Sequence, residues 1–127
     1  MIPAAKPLIG DEERAAVDRV LRSGMLAQGP EVAAFEEEFS KHVGGRHCVA
    51  MNSGTSALHL GFIAGGIKPG DEVIVPSFSF AATANSVVLA GGVPVFADID
   101  PQTFNIDPNH VESLITNKTK EIGRAHV

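Results

Sequence analysis

The chain of 127 residues contains no tryptophan, no tyrosine and only one cysteine, Cys48. One cysteine permits no internal disulfide, and its place in an apolar segment predicts a buried, unreactive thiol. No apolar run is long enough to span a bilayer, and the first residues lack the basic and then apolar order of a signal peptide. We therefore expect a protein of a reducing compartment, the cytoplasm.

Positive charge is also scarce. The chain has 10 lysines and arginines but 15 aspartates and glutamates, which gives a net charge of −5. The basic residues are scattered, which argues against a nucleic-acid groove or a membrane-binding patch. The acidic run Glu36–Glu38 is typical of a solvated helix face. No set of His, Cys, Asp and Glu has metal-ligand spacing, and no nucleophile and base form a recognisable pair. The sequence thus offers no metal site, nucleic-acid partner or membrane partner.

Helical periodicity dominates the first part of the chain. One helix is predicted from Asp11, as N-cap, to Arg22, and a second begins at Pro30, a residue favoured at the first helical position. Gly44 and Gly45 end the second helix. We therefore treat residues 1–46 as an N-terminal helical segment.

From residue 47 onward, strand and helix patterns alternate. Strands are predicted over residues 47–51, 72–76 and 93–99, and helices over 55–64, 80–90 and 107–115. The unbroken apolar run Val73–Val75 is typical of a strand buried on both faces. These features predict an open, mainly parallel α/β sheet with helices on both faces, in which ligands bind beyond the carboxyl ends of the strands.

The end of the chain departs from this pattern. A further apolar strand is due after residues 116–120, yet residues 121–127 show neither strand nor helix periodicity and resemble a translated sequencing adaptor. We therefore expect residues 47–120 to be an incomplete domain and residues 121–127 to be a non-native tail on the N-terminal piece of a longer protein.

The turn Ser53-Gly54-Thr55 joins a predicted strand to a predicted helix. Such a turn places backbone N–H groups and hydroxyls at the positive end of a helix, which suits an anion and phosphate above all. An ordinary N-cap with nothing bound explains the same residues equally well. Neither the dinucleotide motif G-x-G-x-x-G nor the P-loop motif is present.

Two further turns are predicted at the same edge of the sheet. After residues 72–76, Phe78 and Phe80 could stack on a flat heterocycle, although core packing is the alternative for each ring. After residues 93–99, Asp100 is favoured as a turn former, while the role of Asp98 stays open. His59 is expected to be a packed, hydrogen-bonded residue rather than a catalyst.

Four short sequence segments occur together in this chain. Their combined order and spacing identify a protein family more specifically than any single segment does. They are Gly29–Glu36, Asn52–Leu58, Pro69–Phe78 and Pro94–Asp100. Together they resemble the DegT/StrS-type sugar aminotransferases over nearly all of residues 2–120. The resemblance implies part of the large domain of a fold-type I enzyme that uses pyridoxal 5'-phosphate (PLP) and works as a homodimer.

The resemblance also implies an activity and a binding site. Members of the family move an amino group, usually from glutamate, to a keto sugar attached to a nucleotide. The match implies that Gly54 and Thr55 bind the cofactor phosphate and that Phe80 stacks on its pyridine ring. In the family, the lysine that forms the Schiff base and the carboxylate at the pyridine nitrogen lie further downstream. No catalytic residue is therefore assigned in this chain, which we expect to be inactive alone.

Three alternatives stay open at this point. Some members of the family are sugar dehydratases that keep the cofactor but replace the lysine, a position outside this chain. A non-catalytic α/β module that binds a phosphorylated ligand is a second possibility. A fragment that binds nothing is the third.

Overall fold

The computed structural model describes residues 5–123. The chain divides into two compact units, Met1–Ala50 and Met51–Val127. In the described part of the chain, no helix combines the length and apolar character needed to cross a membrane.

The first unit contains the helices α1 (Asp11–Ser23) and α2 (Pro30–His42). Pro30 is the first residue of α2, as predicted. The N-cap of α1 is Gly10, so the prediction of Asp11 was wrong by one residue. The cause is a hydrogen bond from the third helical residue, in which the N–H of Gly10 donates to Glu13 Oε2 at 2.6 Å. This hydrogen bond lowers the pKa of the Glu13 carboxyl.

Residues 47–51 do not form the predicted strand. A strand needs a neighbour for its backbone, and no described segment pairs with these residues. The N–H of Ala50 donates instead to Glu36 Oε1 at 2.7 Å, so Glu36 is half-buried and is not part of a solvated face as predicted. Cys48 is also only half-buried, with its Sγ 3.4 Å from the carbonyl oxygen of Arg46.

The second unit is an α/β structure. Its elements are α3 (Gly54–Ala64), β1 (Glu72–Pro76), α4 (Ala82–Leu89), β2 (Val93–Ala97), α5 (Pro108–Leu114) and β3 (Thr119–Ile122). The three strands form a parallel sheet in the order β2-β1-β3. The predicted α/β class with a parallel sheet is confirmed, and Asp107 caps α5 before Pro108 as expected.

The core is built around β1, the central strand. Its residues 73–76 are buried, because alternate side chains point into layers above and below the sheet. One layer contains Phe62, Ile67, Val73, Val75 and Val87. The other contains Ile74, Ala97 and Val111. Helices α3 and α4 therefore pack on one face of the sheet and α5 packs on the other.

Strand β3 overturns the prediction that the chain has no strand pattern after residue 120. Thr119–Ile122 pairs with β1, and the N–H of Gly123 donates to the carbonyl oxygen of Ile74 at 2.7 Å. Pairing uses backbone groups, so the open edge of β1 accepts even this short polar segment. Residues 124–127 of the expected tail lie outside the described residues, and the origin of the tail stays a prediction.

Candidate anion site at the carboxyl edge of the sheet

Ser53 is the N-cap of α3, in extended conformation. Its Oγ accepts a hydrogen bond from the N–H of Ser56 at 3.1 Å and donates to Ser56 Oγ at 3.0 Å. The capping alternative is therefore realised by Ser53, whose hydroxyl is fully used within the turn.

Gly54 and Thr55, the first two residues of α3, keep their donors available. Neither N–H, nor the hydroxyl of Thr55, makes a hydrogen bond to any residue between 5 and 123. A Cβ built on Gly54 meets no atom within 4 Å, so the space beside this backbone is open. Three donors thus lie at the positive end of an 11-residue helix, an arrangement suited to an anion.

Two side-chain hydrogen bonds connect this helix start with the turn after β1. Ser86 of α4 is fully buried, and its Oγ donates to the carbonyl oxygen of Thr55 at 3.4 Å. One turn earlier on α4, Thr83 Oγ1 lies 3.2 Å from Ser79 Oγ. These contacts bring residues 53–55 and the turn after β1 to one side of α4. Ser86 was not singled out by the sequence reasoning, because an isolated serine carries no motif.

Phe78 and Phe80 lie in the turn between β1 and α4 and are exposed. Phe80 precedes the helix, which begins at Ala82 rather than at residue 80 as predicted. Phe80 is 77% exposed, and the Phe78 ring packs against Phe104 with ring centroids 5.8 Å apart. The alternative in which both rings belong to the core is therefore wrong.

The third turn follows β2, which ends at Ala97. The N–H of Asp98 donates to His110 Nδ1 at 2.8 Å, so the proton of this imidazole is on Nε2. The Asp98 carboxylate lies 3.4 Å from the same Nδ1, but a nitrogen that accepts the backbone N–H cannot also donate, and the contact is not an ion pair. Sequence spacing gave no signal for His110, which is 12 residues away from its partner.

Two other expectations concern histidine and metal. His59 is half-buried on α3 and makes no hydrogen bond to a residue between 5 and 123, so the hydrogen-bonded histidine that we expected is not found. Within those residues, no three His, Cys, Asp or Glu side chains are arranged to hold a metal ion.

Asp100 is the turn former that the sequence favoured. Its Oδ1 accepts hydrogen bonds from the N–H of Thr103 at 2.7 Å, the N–H of Gln102 at 2.9 Å and the hydroxyl of Thr103 at 3.1 Å. These bonds favour the ionised form and lower the pKa of the Asp100 carboxyl below its ordinary value of 3.8.

A pH titration should reveal this lowered pKa. Because the folded pKa is below the unfolded one, the turn contributes stability above the unfolded pKa and loses it as the pH falls through the folded pKa. We expect the side-chain carboxyl carbon of Asp100 to titrate with a midpoint below 3.8 by NMR. The variant Thr103→Ala keeps the backbone donors and should raise the midpoint only in part. A midpoint at or above 3.8 in the unmodified chain contradicts the hydrogen-bonding scheme.

The second unit has a parallel sheet, and unpaired N–H donors of a helix and exposed aromatic rings lie at its carboxyl edge. This arrangement is typical of an α/β protein that binds an anionic ligand. The sequence profile of the DegT/DnrJ/EryC1/StrS aminotransferase family matches residues 7–127. The chain belongs to this family.

Individual relatives agree with this membership. The chain is 49% identical over 98% of its length to the spore coat polysaccharide biosynthesis protein SpsC from Bacillus subtilis. It is 46% identical over 90% of its length to a UDP-2-acetamido-2-deoxy-3-oxo-D-glucuronate aminotransferase from Pseudomonas aeruginosa. The chain spans about a third of the length of both proteins, 32% in each case.

A solved structure confirms the predicted fold. The crystal structure of NtdA from Bacillus subtilis with the bound cofactor PMP superposes with a TM-score of 0.82 at 43% identity. The match covers 90% of this chain and 27% of NtdA.

Proposed function

We propose that this chain is the N-terminal part of a PLP-dependent aminotransferase that moves an amino group from glutamate to a nucleotide-linked keto sugar. The observation that carries the proposal is the set of three open donors on Gly54 and Thr55 at the start of α3. Family membership supplies the reaction class. The chain spans only about a third of its relatives, so the activity belongs to the longer protein.

The residues of this chain would bind and orient the cofactor. The N–H groups of Gly54 and Thr55 and the hydroxyl of Thr55 would hold its phosphate, because these donors have no partner among residues 5–123 and lie at a helix N-terminus with open space beside Gly54. The exposed ring of Phe80 would stack on its pyridine ring. PLP, when bound, supplies the electron sink for moving an amino group.

The chain contributes no catalytic base or nucleophile to this scheme. Its lysines are Lys6, Lys41, Lys68, Lys118 and Lys120. None of these lysines lies in the three turns that form the candidate site. We therefore assign the reactive lysine to the remainder of the protein. The 127-residue chain alone should not transfer amino groups.

Two relatives support the proposed substrate and reaction. The Pseudomonas aeruginosa relative is named for a UDP-linked 3-oxo sugar, which supports a nucleotide-linked keto sugar here. The PMP in NtdA is the aminated form of PLP, which supports amino transfer. We further propose a homodimer in the cytoplasm, in keeping with the single cysteine.

The test is a half-reaction in the full-length protein. Protein loaded with PLP is mixed with glutamate in the absence of sugar, and the absorbance of the cofactor is followed together with 2-oxoglutarate. We expect the PLP form to convert to the PMP form with one equivalent of 2-oxoglutarate per site. Bound cofactor that glutamate leaves unchanged would favour the dehydratase, whereas phosphate-dependent binding without any cofactor absorbance would favour the non-catalytic module.

Phe80→Ala should weaken cofactor binding in the full-length protein. Aromatic stacking contributes about 0.5–1.5 kcal/mol beyond the area that it buries, which corresponds to roughly 2- to 13-fold in Kd. The measurement is a calorimetric titration with PMP, which is not attached covalently. Phe96→Ala removes an equally large exposed ring from β2, one residue before the end of the strand, and serves as the control. Equal Kd values for the Phe80 variant and the unmodified protein would show that the Phe80 ring does not stack on the cofactor.

A further inference from the structure

Phe78 and Phe104 form an aromatic wall at the carboxyl edge of the sheet. Their ring planes are tilted by 45° with centroids 5.8 Å apart, and the two residues are 64% and 59% exposed. An aromatic pair contributes to stability mainly by removing apolar area from water. The two rings of the aromatic wall instead leave most of their surface open.

The backbone of Phe104 is held in an unfavourable conformation. Its φ of +58° lies in the left-handed region, which bulky residues rarely adopt. The N–H of Phe104 donates to the carbonyl oxygen of Asp100 at 2.8 Å, and the N–H of Asp100 donates to the carbonyl oxygen of Asn105 at 2.8 Å. The loop thus fixes the Phe104 ring against Phe78 at a cost in backbone energy, as is common where a side chain is positioned for a ligand.

The aromatic wall borders the proposed cofactor site. The N–H of Ser77 donates to the carbonyl oxygen of Ala97 at 2.8 Å, so Phe78 and Asp98 each follow directly after this bonded pair. On the other side of Phe78, Ser79 Oγ lies 3.2 Å from Thr83 Oγ1 on α4. The same helix contacts Thr55 through Ser86.

The charged residues near the aromatic wall indicate which part of a substrate the wall can bind. Between Pro69 and Asn117 the sequence contains no lysine and no arginine. The Asp98 side chain follows β2 directly and is 79% exposed, and hydrogen bonds from Thr103 and Gln102 lower the pKa of the Asp100 carboxyl. Within residues 69–117 a diphosphate would meet carboxylates and no lysine or arginine, whereas the hydroxyls of a neutral sugar can donate to a carboxylate.

We propose that the aromatic wall binds the hexose ring of the nucleotide-linked substrate. The C–H face of the hexose packs against Phe78 and Phe104, and Asp98 accepts hydrogen bonds from its hydroxyls. This inference rests on the proposed function and adds to it the residues that recognise the sugar. The nucleotide and its phosphates are bound by other parts of the protein.

The test compares two probes on the full-length protein loaded with PMP. UDP-N-acetylglucosamine contains the hexose, and UDP does not. Phe78→Ala and Phe104→Ala should each raise the Kd of UDP-N-acetylglucosamine about tenfold and change the Kd of UDP by less than about twofold. Phe104→Tyr retains the flat ring and should bind UDP-N-acetylglucosamine as the unmodified protein does. Phe104→Leu lacks the ring and should bind this probe as weakly as Phe104→Ala. Phe96→Ala is the control for loss of an exposed ring elsewhere on the second unit.

Several results would overturn the inference. An equal loss of affinity for both probes would assign the wall to the nucleotide, and unchanged affinity for both would assign it no ligand role. A change of oligomeric state in Phe78→Ala by sedimentation would make the wall a subunit contact. Failure of the unmodified protein to bind the sugar probe more tightly than UDP also counts against it. Conversion of the PLP form by glutamate needs no sugar and tests the proposed function separately.

Discussion

Ile74→Ala should lower the free energy of unfolding of the 127-residue chain by about 2–5 kcal/mol. Ile74 is the middle residue of the central strand and has no exposed surface. It packs with Ala97 and Val111 between the sheet and α5. The substitution removes three carbons from a site that is closed on all sides, so the loss of burial and the remaining cavity both act against folding.

The measurement is urea unfolding followed by far-UV circular dichroism, since the chain has no tryptophan or tyrosine to report by fluorescence. Ile63→Ala is the matched control, because Ile63 lies on α3 with half of its surface exposed. That variant should change stability by no more than about 0.5 kcal/mol. Similar midpoints for the two variants would contradict the placement of β1 at the centre of the core.

Thr55→Ala should weaken binding of PMP to the full-length protein by about 1.5–3 kcal/mol, or roughly 12- to 150-fold. In the proposed site, the Thr55 hydroxyl donates to a charged phosphate oxygen, and such bonds are stronger than those between neutral groups. Nothing between residues 5 and 123 competes for this hydroxyl. PMP is the suitable probe because it has no aldehyde to react with lysines.

Two variants separate this role from general damage. Thr55→Ser keeps the hydroxyl and should bind PMP within about threefold of the unmodified protein. Thr119→Ala removes a threonine at the amino end of the sheet, where Thr119 pairs with Glu72, and should leave the Kd unchanged. A Kd for Thr55→Ala within twofold of the unmodified value would show that the hydroxyl does not contact the cofactor.

The second unit could be predicted well because its signals are local. The run Val73–Val75 and the turn at Asp107-Pro108 each specify an element from adjacent residues, and both elements are found there. The segment 47–51 has an equally apolar pattern but lacks a neighbouring strand among the described residues. Its propensity alone could not supply that partner, because a strand depends on its neighbours more than on its sequence.

The candidate site was predictable in part. The sequence located the turn 53–55 and placed Phe80 in the turn after the second predicted strand, but it left open whether the Phe80 ring is exposed or packed in the core. It could not predict that Ser86 bonds the backbone of Thr55 or that His110 accepts the N–H of Asp98. Those contacts join residues 31 and 12 positions apart, and only the packing of helices on the sheet brings them together. The strained pairing of Phe104 with Phe78 was hidden for the same reason.

In the proposed site, the start of α3 binds the phosphate of PLP. A crystal structure of the full-length protein with PMP bound tests this contact. We expect phosphate oxygens at hydrogen-bond distance, about 2.7–3.2 Å, from the N–H of Gly54 and about 2.5–3.0 Å from Thr55 Oγ1, with the pyridine ring stacked on Phe80. A phosphate bound elsewhere, with the donors of Gly54 and Thr55 facing only water, would contradict the account.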